Sequence, residues 1–210
     1  RIGYMGKVSP TVTVGLAYTT KMDMGKFDKY KGLFAEEGGF DIPEHMSAGV
    51  TFEPSKGLQV ALEWMRIGYS DIASIGNPST NQAPLGSSNG PGFGWQDVDV
   101  WKIGVQWQQS PQLTLRAGYN HSDNPIQSRD VTFNILAPGV VQNHVTLGFT
   151  YNMPDKSSIT VAYMHAFEND VTGPSLFNAL FGPGAGKEHD GRERKASGRS
   201  GDCVHRSTPV

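Results

Sequence analysis

Apolar and polar residues alternate with a period of two along several stretches of this chain. In the first, Val12, Val14, Leu16 and Tyr18 share one side, and Thr11, Thr13, Gly15, Ala17 and Thr19 share the other. The same pattern sets Trp101, Ile103, Val105 and Trp107 against Lys102, Gly104, Gln106 and Gln108. It sets Leu113, Leu115, Ala117 and Tyr119 against Thr114, Arg116, Gly118 and Asn120, and Val145, Leu147, Phe149 and Tyr151 against Thr146, Gly148, Thr150 and Asn152. With the weaker cases, eight strands are predicted, at 1–8, 11–20, 45–53, 58–70, 97–109, 112–122, 143–153 and 158–167. Their connections alternate in length. Those at Ser9-Pro10, 54–57, Ser110-Pro111 and 153–157 are tight, whereas 21–44, 71–96 and 123–142 are long.

One trimmed end and one elaborated end are what an outer-membrane barrel shows, with short turns on one side and long loops on the other. A soluble lipocalin-like barrel alternates in the same way. The chemistry of the second face separates the two. It carries Thr, Gly, Asn and Gln together with Glu63, Lys102 and Arg116, which suits a wet lumen better than a dry core. Tyr18, Trp64, Tyr69, Trp101, Trp107, Tyr119, Tyr151 and Tyr163 fall mostly near strand ends on the apolar face, as interfacial girdles do, although β-propensity alone also enriches strands in aromatics. The fold class expected is therefore all-β, an antiparallel transmembrane β-barrel segment.

Composition agrees with this. Glycine, 26 of 210 residues, exceeds the usual ~7%, and no apolar run is long enough for a transmembrane helix. A net charge of -2 offers no basic surface for nucleic acid. The one cysteine, Cys203, excludes an internal disulfide. The chain begins Arg1-Ile-Gly-Tyr4 with no basic-then-apolar export signal, which suggests either a removed signal or a fragment. At Gly186-Lys187 the composition breaks. Ten of the last 24 residues are charged and none is aromatic, so 187–210 is expected to be a disordered C-terminal tail, or to have lost its reading frame, set apart from a barrel segment at 1–186.

Residues 1–186 resemble the FadL-type family of outer-membrane transporters of long-chain fatty acids and hydrocarbons. The matching stretches are the loop from Lys26 to Pro43 (KFDKYKGLFAEEGGFDIP), Leu115-Arg-Ala-Gly-Tyr-Asn120 followed by Asp123-Asn-Pro125, Asn134-Ile-Leu-Ala-Pro-Gly-Val140, and Ala162-Tyr-Met-His-Ala166. The resemblance implies a fourteen-stranded barrel with an N-terminal hatch, in which these strands are the sixth to the thirteenth. It also implies a bacterial outer-membrane location, contact with lipid and lipopolysaccharide, and a monomer. A long-chain fatty acid or similar hydrophobic small molecule would be captured in a groove of the outer loops, pass into the barrel and leave through its wall. The family's last strand ends in an aromatic residue, whereas this chain ends Thr208-Pro209-Val210.

On that reading the loop at 21–44 supplies the groove, with Phe27, Tyr30, Leu33, Phe34 and Phe40 as the ligand-binding side chains and Lys29, beside Lys26 and Lys31, for a carboxylate. The same apolar residues would equally serve to pack the loop on the barrel rim. Arg116 and Lys102 project from the polar face, where they either guide a carboxylate through the lumen or pair with Glu63 and other acids. An enzyme has little to build on. His45, His121, His144 and His165 are scattered without metal-ligand spacing, and no serine sits in a nucleophile elbow. Gly182-Pro-Gly-Ala-Gly-Lys187 lacks the first-glycine spacing and the Ser or Thr of a phosphate loop. Neither catalytic residue, metal nor cofactor is expected. The alternatives are a general polar porin and a soluble lipophile-binding β-barrel.

Overall fold

The alternating segments become consecutive strands of one antiparallel sheet: β1 (Ile2–Ser9), β2 (Val12–Thr19), β3 (His45–Ser55), β4 (Leu58–Ile67), β5 (Val98–Gln108), β6 (Leu113–Ser122), β7 (Asn143–Asn152) and β8 (Ser158–Ala166). The computed structural model describes residues 1–185, 194–198 and 203–207. Each strand pairs with its sequence neighbour, so the sheet is a meander in which all the tight turns lie at one edge and all the long loops at the other.

Register fixes which residues share a face. One row runs Val14, Val50, Leu62, Ile103, Tyr119 and Val145 across six strands, and the next row on the opposite face runs Gly15, Gly49, Glu63, Lys102, Asn120 and His144. Exposure is the inverse of that in a soluble protein. Along β5, Trp101, Ile103, Val105 and Trp107 are exposed, while Lys102, Gly104 and Gln106 between them are partly covered. Large apolar side chains facing outward around small and polar ones are the arrangement that lipid demands of a barrel wall. No helix among the described residues is long and apolar enough to cross a membrane, so the strands are the crossing elements.

The outward aromatics gather toward the two ends. Tyr18, Trp64, Trp101 and Tyr119 lie toward the loop edge, with Trp64 directly opposite Trp101, and Trp107 and Tyr151 lie toward the turn edge. Tyr69 departs from this expectation. The fourth strand, predicted to reach residue 70, stops at Ile67 with one further in-register bond from the Gly68 amide to the Glu44 carbonyl, and Tyr69 enters a 3-10 turn and packs edge-on against Trp95 at 5.0 Å. Just before that exit Arg66, on the lipid-facing side, bridges Asp97 (3.5 Å) and Asp99 (3.3 Å), and a charged network there marks where the wall leaves the hydrocarbon.

Among the described residues, buried apolar side chains are absent from the middle of the sheet. Ala35, Ile72, Ile75, Phe93, Ile126, Val131 and Val140 are buried in the long loops, and Val98, Val100 and Ala166 at the strand ends beneath them. Two single turns, the left-handed α1 (Ala35–Gly38) and the helical α2 (Ala73–Gly76), help to build this cap.

Beyond β8 the structure adds elements that periodicity did not reveal, namely β9 (Asn169–Gly173) and α3 (Leu176–Phe181). Within the charged tail, β10 (Arg194–Gly198) pairs with β9, and β11 (Cys203–Ser207) pairs with β8. The expectation of disorder for 187–193, 199–202 and 208–210 lies outside the described residues.

Ile103 stands mid-strand on the lipid-facing side. Replacing it with Lys is expected to cost roughly 2–4 kcal/mol of folding stability in bilayers, whereas Gln106→Lys, facing the lumen, should cost far less. Urea titrations in lipid vesicles would check the difference.

Candidate functional site

The loop at 21–44 is pinched shut at its base. Met22 and Ile42 form an isolated antiparallel bridge, the Met24 amide donates to Asp41 Oδ1 at 2.8 Å, and Lys21 Nζ lies 3.3 Å from Asp41 Oδ2. The Met24 amide, helped by Lys21, holds the Asp41 carboxyl below the usual carboxylate range, and the bond to Asp41 holds the Lys21 ammonium above its ordinary value.

Above this neck a 3-10 turn at Asp28–Tyr30 and the bond from the Phe34 amide to the Tyr30 carbonyl wind the chain tightly. Side chains three apart eclipse in such a turn, which brings Phe27 and Tyr30 edge to face at 6.5 Å, with Phe34 5.9 Å beyond Tyr30. The chain then reverses through left-handed backbone at Glu36 (φ 55°), Glu37 (φ 59°) and Gly38 (φ 92°), and this folds Phe40 back onto Phe34 at 5.4 Å. Left-handed non-glycine residues cost of order 1–3 kcal/mol each and persist only where their surroundings hold them. Here the Glu37 amide donates to the Gly86 carbonyl (2.8 Å), the Phe27 amide to the Gly38 carbonyl (2.9 Å), and Lys26 Nζ lies 3.6 Å from Glu37. A Cβ at position 38 would sit 2.6 Å from the Phe27 carbonyl oxygen, so glycine is required there on two counts.

Two further rings complete the cluster. Phe93, from the loop between β4 and β5, packs on Phe34 (6.2 Å) and Phe40 (6.3 Å), and Phe133, from the loop between β6 and β7, packs on Phe93 at 5.7 Å. The cluster is graded. Phe93 is only 5% exposed, whereas Phe27 and Tyr30 are 50% and 52% exposed at its open end. Edge-to-face pairs at these separations contribute ~0.5–1.5 kcal/mol beyond their burial.

A polar hub anchors Phe93. Asp130, fully buried, accepts the Ser79 amide (2.7 Å) and Arg129 Nε (3.1 Å). Asn134, also buried, donates to the carbonyls of Phe93 (2.6 Å) and Asp130 (3.0 Å) and accepts Trp95 Nε1 (2.6 Å). Gly94 runs so close to this hub, at φ 70°, that a Cβ there would overlap the Asp130 carboxylate. Ser74 Oγ ties the same loop to the Ala35 and Gly39 carbonyls. The three long loops therefore form one cross-bonded cap.

The expected ligand residues separate into two places. Phe27, Tyr30, Phe34 and Phe40 meet in the ring cluster, half-buried Leu33 lies in the same turn, and Lys29 sits exposed on the 3-10 turn outside the ion pairs found among the described residues. Lys102 and Arg116 instead face the lumen on different rungs of the β5–β6 ladder, opposite Asn120 and Gln106. Lys102 pairs with Glu63 at 3.1 Å. Arg116 meets no acid among the described residues, donating Nε to Gln106 Oε1 and Nη1 to Thr150 Oγ1, each at 2.8 Å. The sequence reading missed Phe93 and Phe133. The signal available was a phenylalanine inside each of the two other long, glycine-containing loops, Phe93 beside Trp95 in one and Phe133 in the other. No group of three or more metal-ligating side chains occurs among the described residues.

An inside-out antiparallel wall, capped at one edge by interlocked loops with a partly open aromatic cluster, defines a wall segment of a transmembrane β-barrel of the outer-membrane type. The chain belongs to the outer membrane protein transport protein family (OMPP1/FadL/TodX), whose profile matches residues 1–176. Among solved structures it is similar to a Pseudomonas aeruginosa FadL homologue, at 18% identity and a TM-score of 0.58 over 82% of this chain and 45% of that one. It is also similar to the P. putida toluene transporter TodX (17%, TM-score 0.53, 81% of this chain and 42% of that one) and the Ralstonia pickettii toluene transporter TbuX (16%, TM-score 0.52, 80% and 42%). At these identities the likeness is one of fold, and the chain spans less than half the length of these proteins. No curated protein matches it.

Two outcomes test the cap. Asp130→Ala leaves the buried Ser79 amide unpaired and is expected to cost ~1–3 kcal/mol locally. Proteolysis of the loop at 68–97 in vesicle-embedded protein should accelerate while the strands stay protected. Because the folded Asp41 carboxyl titrates below its unfolded value, its contribution is complete above about pH 4 and lost as the pH falls through the lower folded value. Asp41→Asn should therefore speed hydrogen exchange of the Met24 amide at pH 7 and remove the acid dependence of that exchange.

Proposed function

We propose that this chain is part of a passive importer of hydrophobic compounds, long-chain fatty acids or similar lipophiles, across the bacterial outer membrane. The observation that carries this reading is the graded aromatic cluster. A loop whose only task was to pack on the barrel rim would bury its rings, yet Phe27 and Tyr30 remain half exposed at the open end of a rigidly anchored stack. Such a surface captures apolar molecules by removing them from water, at ~0.8 kcal/mol per buried methylene. Cargo then passes into the barrel and leaves by diffusion through its wall, with no bond made or broken. Two of the similar structures are toluene transporters, and monoaromatic hydrocarbons are therefore candidate cargoes alongside fatty acids. The protein works as a monomer surrounded by lipid and lipopolysaccharide.

A polar-porin reading draws on one feature, the lumen belt in which Glu63 pairs with Lys102, and Asn120 Nδ2 lies 3.4 Å from His144 Nδ1. A porin would conduct ions in planar bilayers with no dependence on lipophiles.

The importer should bind a fluorescent fatty acid saturably, and the combined change Phe27→Ser, Leu33→Ser, Phe34→Ser should weaken that binding at least tenfold. Unchanged binding in the triple variant would remove the loop cluster from the mechanism.

A further inference from the structure

The lipid-facing side of the wall is not evenly covered. In register, Ala48 on β3 lies between Leu16 on β2 and Trp64 on β4, and its methyl group leaves a notch between two large side chains. The notch opens into a groove of about 420 Å³ bounded by Tyr4, Leu16, Tyr18, Met46 and Trp64, within the roughly 300–1,000 Å³ usual for small-molecule sites. Its aromatic walls are tied in place. The Tyr18 hydroxyl donates to Glu44 Oε2 at 2.6 Å, and Trp64 Nε1 donates to Asp99 Oδ1 at 3.1 Å. Neither ring folds over Ala48 without giving up its bond to a carboxylate.

Ala48 is three residues inside the loop end of β3 at His45, about 10 Å along the strand at ~3.4 Å per residue. With the long loops outside, the groove lies in the outer half of a hydrocarbon core ~30 Å thick. Its rim is the row Tyr18, Met46 and Arg66, two residues nearer the loops. Arg66 is half exposed there, anchored by Asp97 at 3.5 Å and Asp99 at 3.3 Å. An empty notch in hydrocarbon forfeits dispersion contacts and holds no water, so an acyl chain is its natural filling. The outer leaflet of an outer membrane is built of lipopolysaccharide, whose acyl chains hang from a phosphorylated glucosamine disaccharide.

We propose that this groove docks one lipopolysaccharide on the outside of the wall, with an acyl chain over Ala48 between Leu16 and Trp64 and a sugar phosphate at Arg66. The planar fork of a guanidinium matches a pair of phosphate oxygens. Asp97 and Asp99 beside it reduce the attraction for a bare phosphate and accept hydrogen bonds from sugar hydroxyls and amides, which favours a head group carrying both. Walls already held in place lower the entropy lost when the chain is fixed, so this lipid exchanges more slowly than its neighbours. The site faces lipid and is independent of the cargo and of its route.

The test is native mass spectrometry of the full-length protein released from detergent micelles, titrated with purified lipid A or with phosphatidylethanolamine. One lipid A should be retained, and phosphatidylethanolamine should bind about tenfold more weakly. Ala48→Phe fills the notch with a side chain that lipid tolerates and should bring lipid A down to the level of phosphatidylethanolamine. Arg66→Gln, which keeps the apolar groove, should also remove the preference. Ala117→Phe, at the outward alanine between Val105 and Leu147, should leave it unchanged. Equal retention of the two lipids by the unaltered protein overturns the proposal. So does a lipid A preference that survives Ala48→Phe, or one lost equally in Ala117→Phe. The uptake reading stands or falls separately, on the triple loop variant.

Discussion

The backbone hydrogen-bond ladder is the constraint from which the rest of this structure follows. In hydrocarbon no water is available to an unpaired N–H or C=O, so a strand is stable only between two others. From β2 to β8 each strand lies between two others in an unbroken antiparallel register, and this register dictates the inverted side-chain distribution. Once the ladder is complete, Leu16, Ile103, Trp107 and Leu147 belong on the lipid side, and the opposite face is free to be small or charged.

That freedom relocates the protein's packing. A wall one sheet thick has no interior, so the close-packed core lies where loops can fold over one another, above the strand ends. There Ile126, Val131 and Val140 are fully or nearly buried, with Trp95 and Val171 against them, and the Asp130–Asn134 hub satisfies the loop backbone. Rigid loops matter for function because a capture surface that had to order itself on each encounter would lose part of its binding energy to entropy. The strained Glu36-Glu37-Gly38 reversal belongs to the same economy, since it is the bend that sets Phe40 against Phe34.

The lumen shows how register decides electrostatics. Glu63 and Lys102 are directly opposite on β4 and β5, and they neutralise each other. Arg116 falls opposite Gln106 and diagonal to Thr150, and it keeps its charge. From composition the two cations were equivalent; a cross-strand neighbour separates them.

Periodicity by itself determined the eight strands, nearly to their ends, and which face of each meets lipid, because in a barrel wall every other residue experiences one solvent throughout. The alternation of tight turns with long loops likewise placed all the elaboration at one edge. Tertiary structure decided the rest. Phe93 and Phe133 join the loop aromatics through contacts 40 or more residues distant in sequence, Tyr69 leaves its predicted strand for a 3-10 turn in which Asp97 holds Ser70 and Trp95 meets the Tyr69 ring, and β9 and α3 carry no alternating signal. The physical reason is that a strand's environment repeats along its own length and so writes itself into local sequence, whereas a loop's environment is made by other loops, whose approach no local pattern encodes.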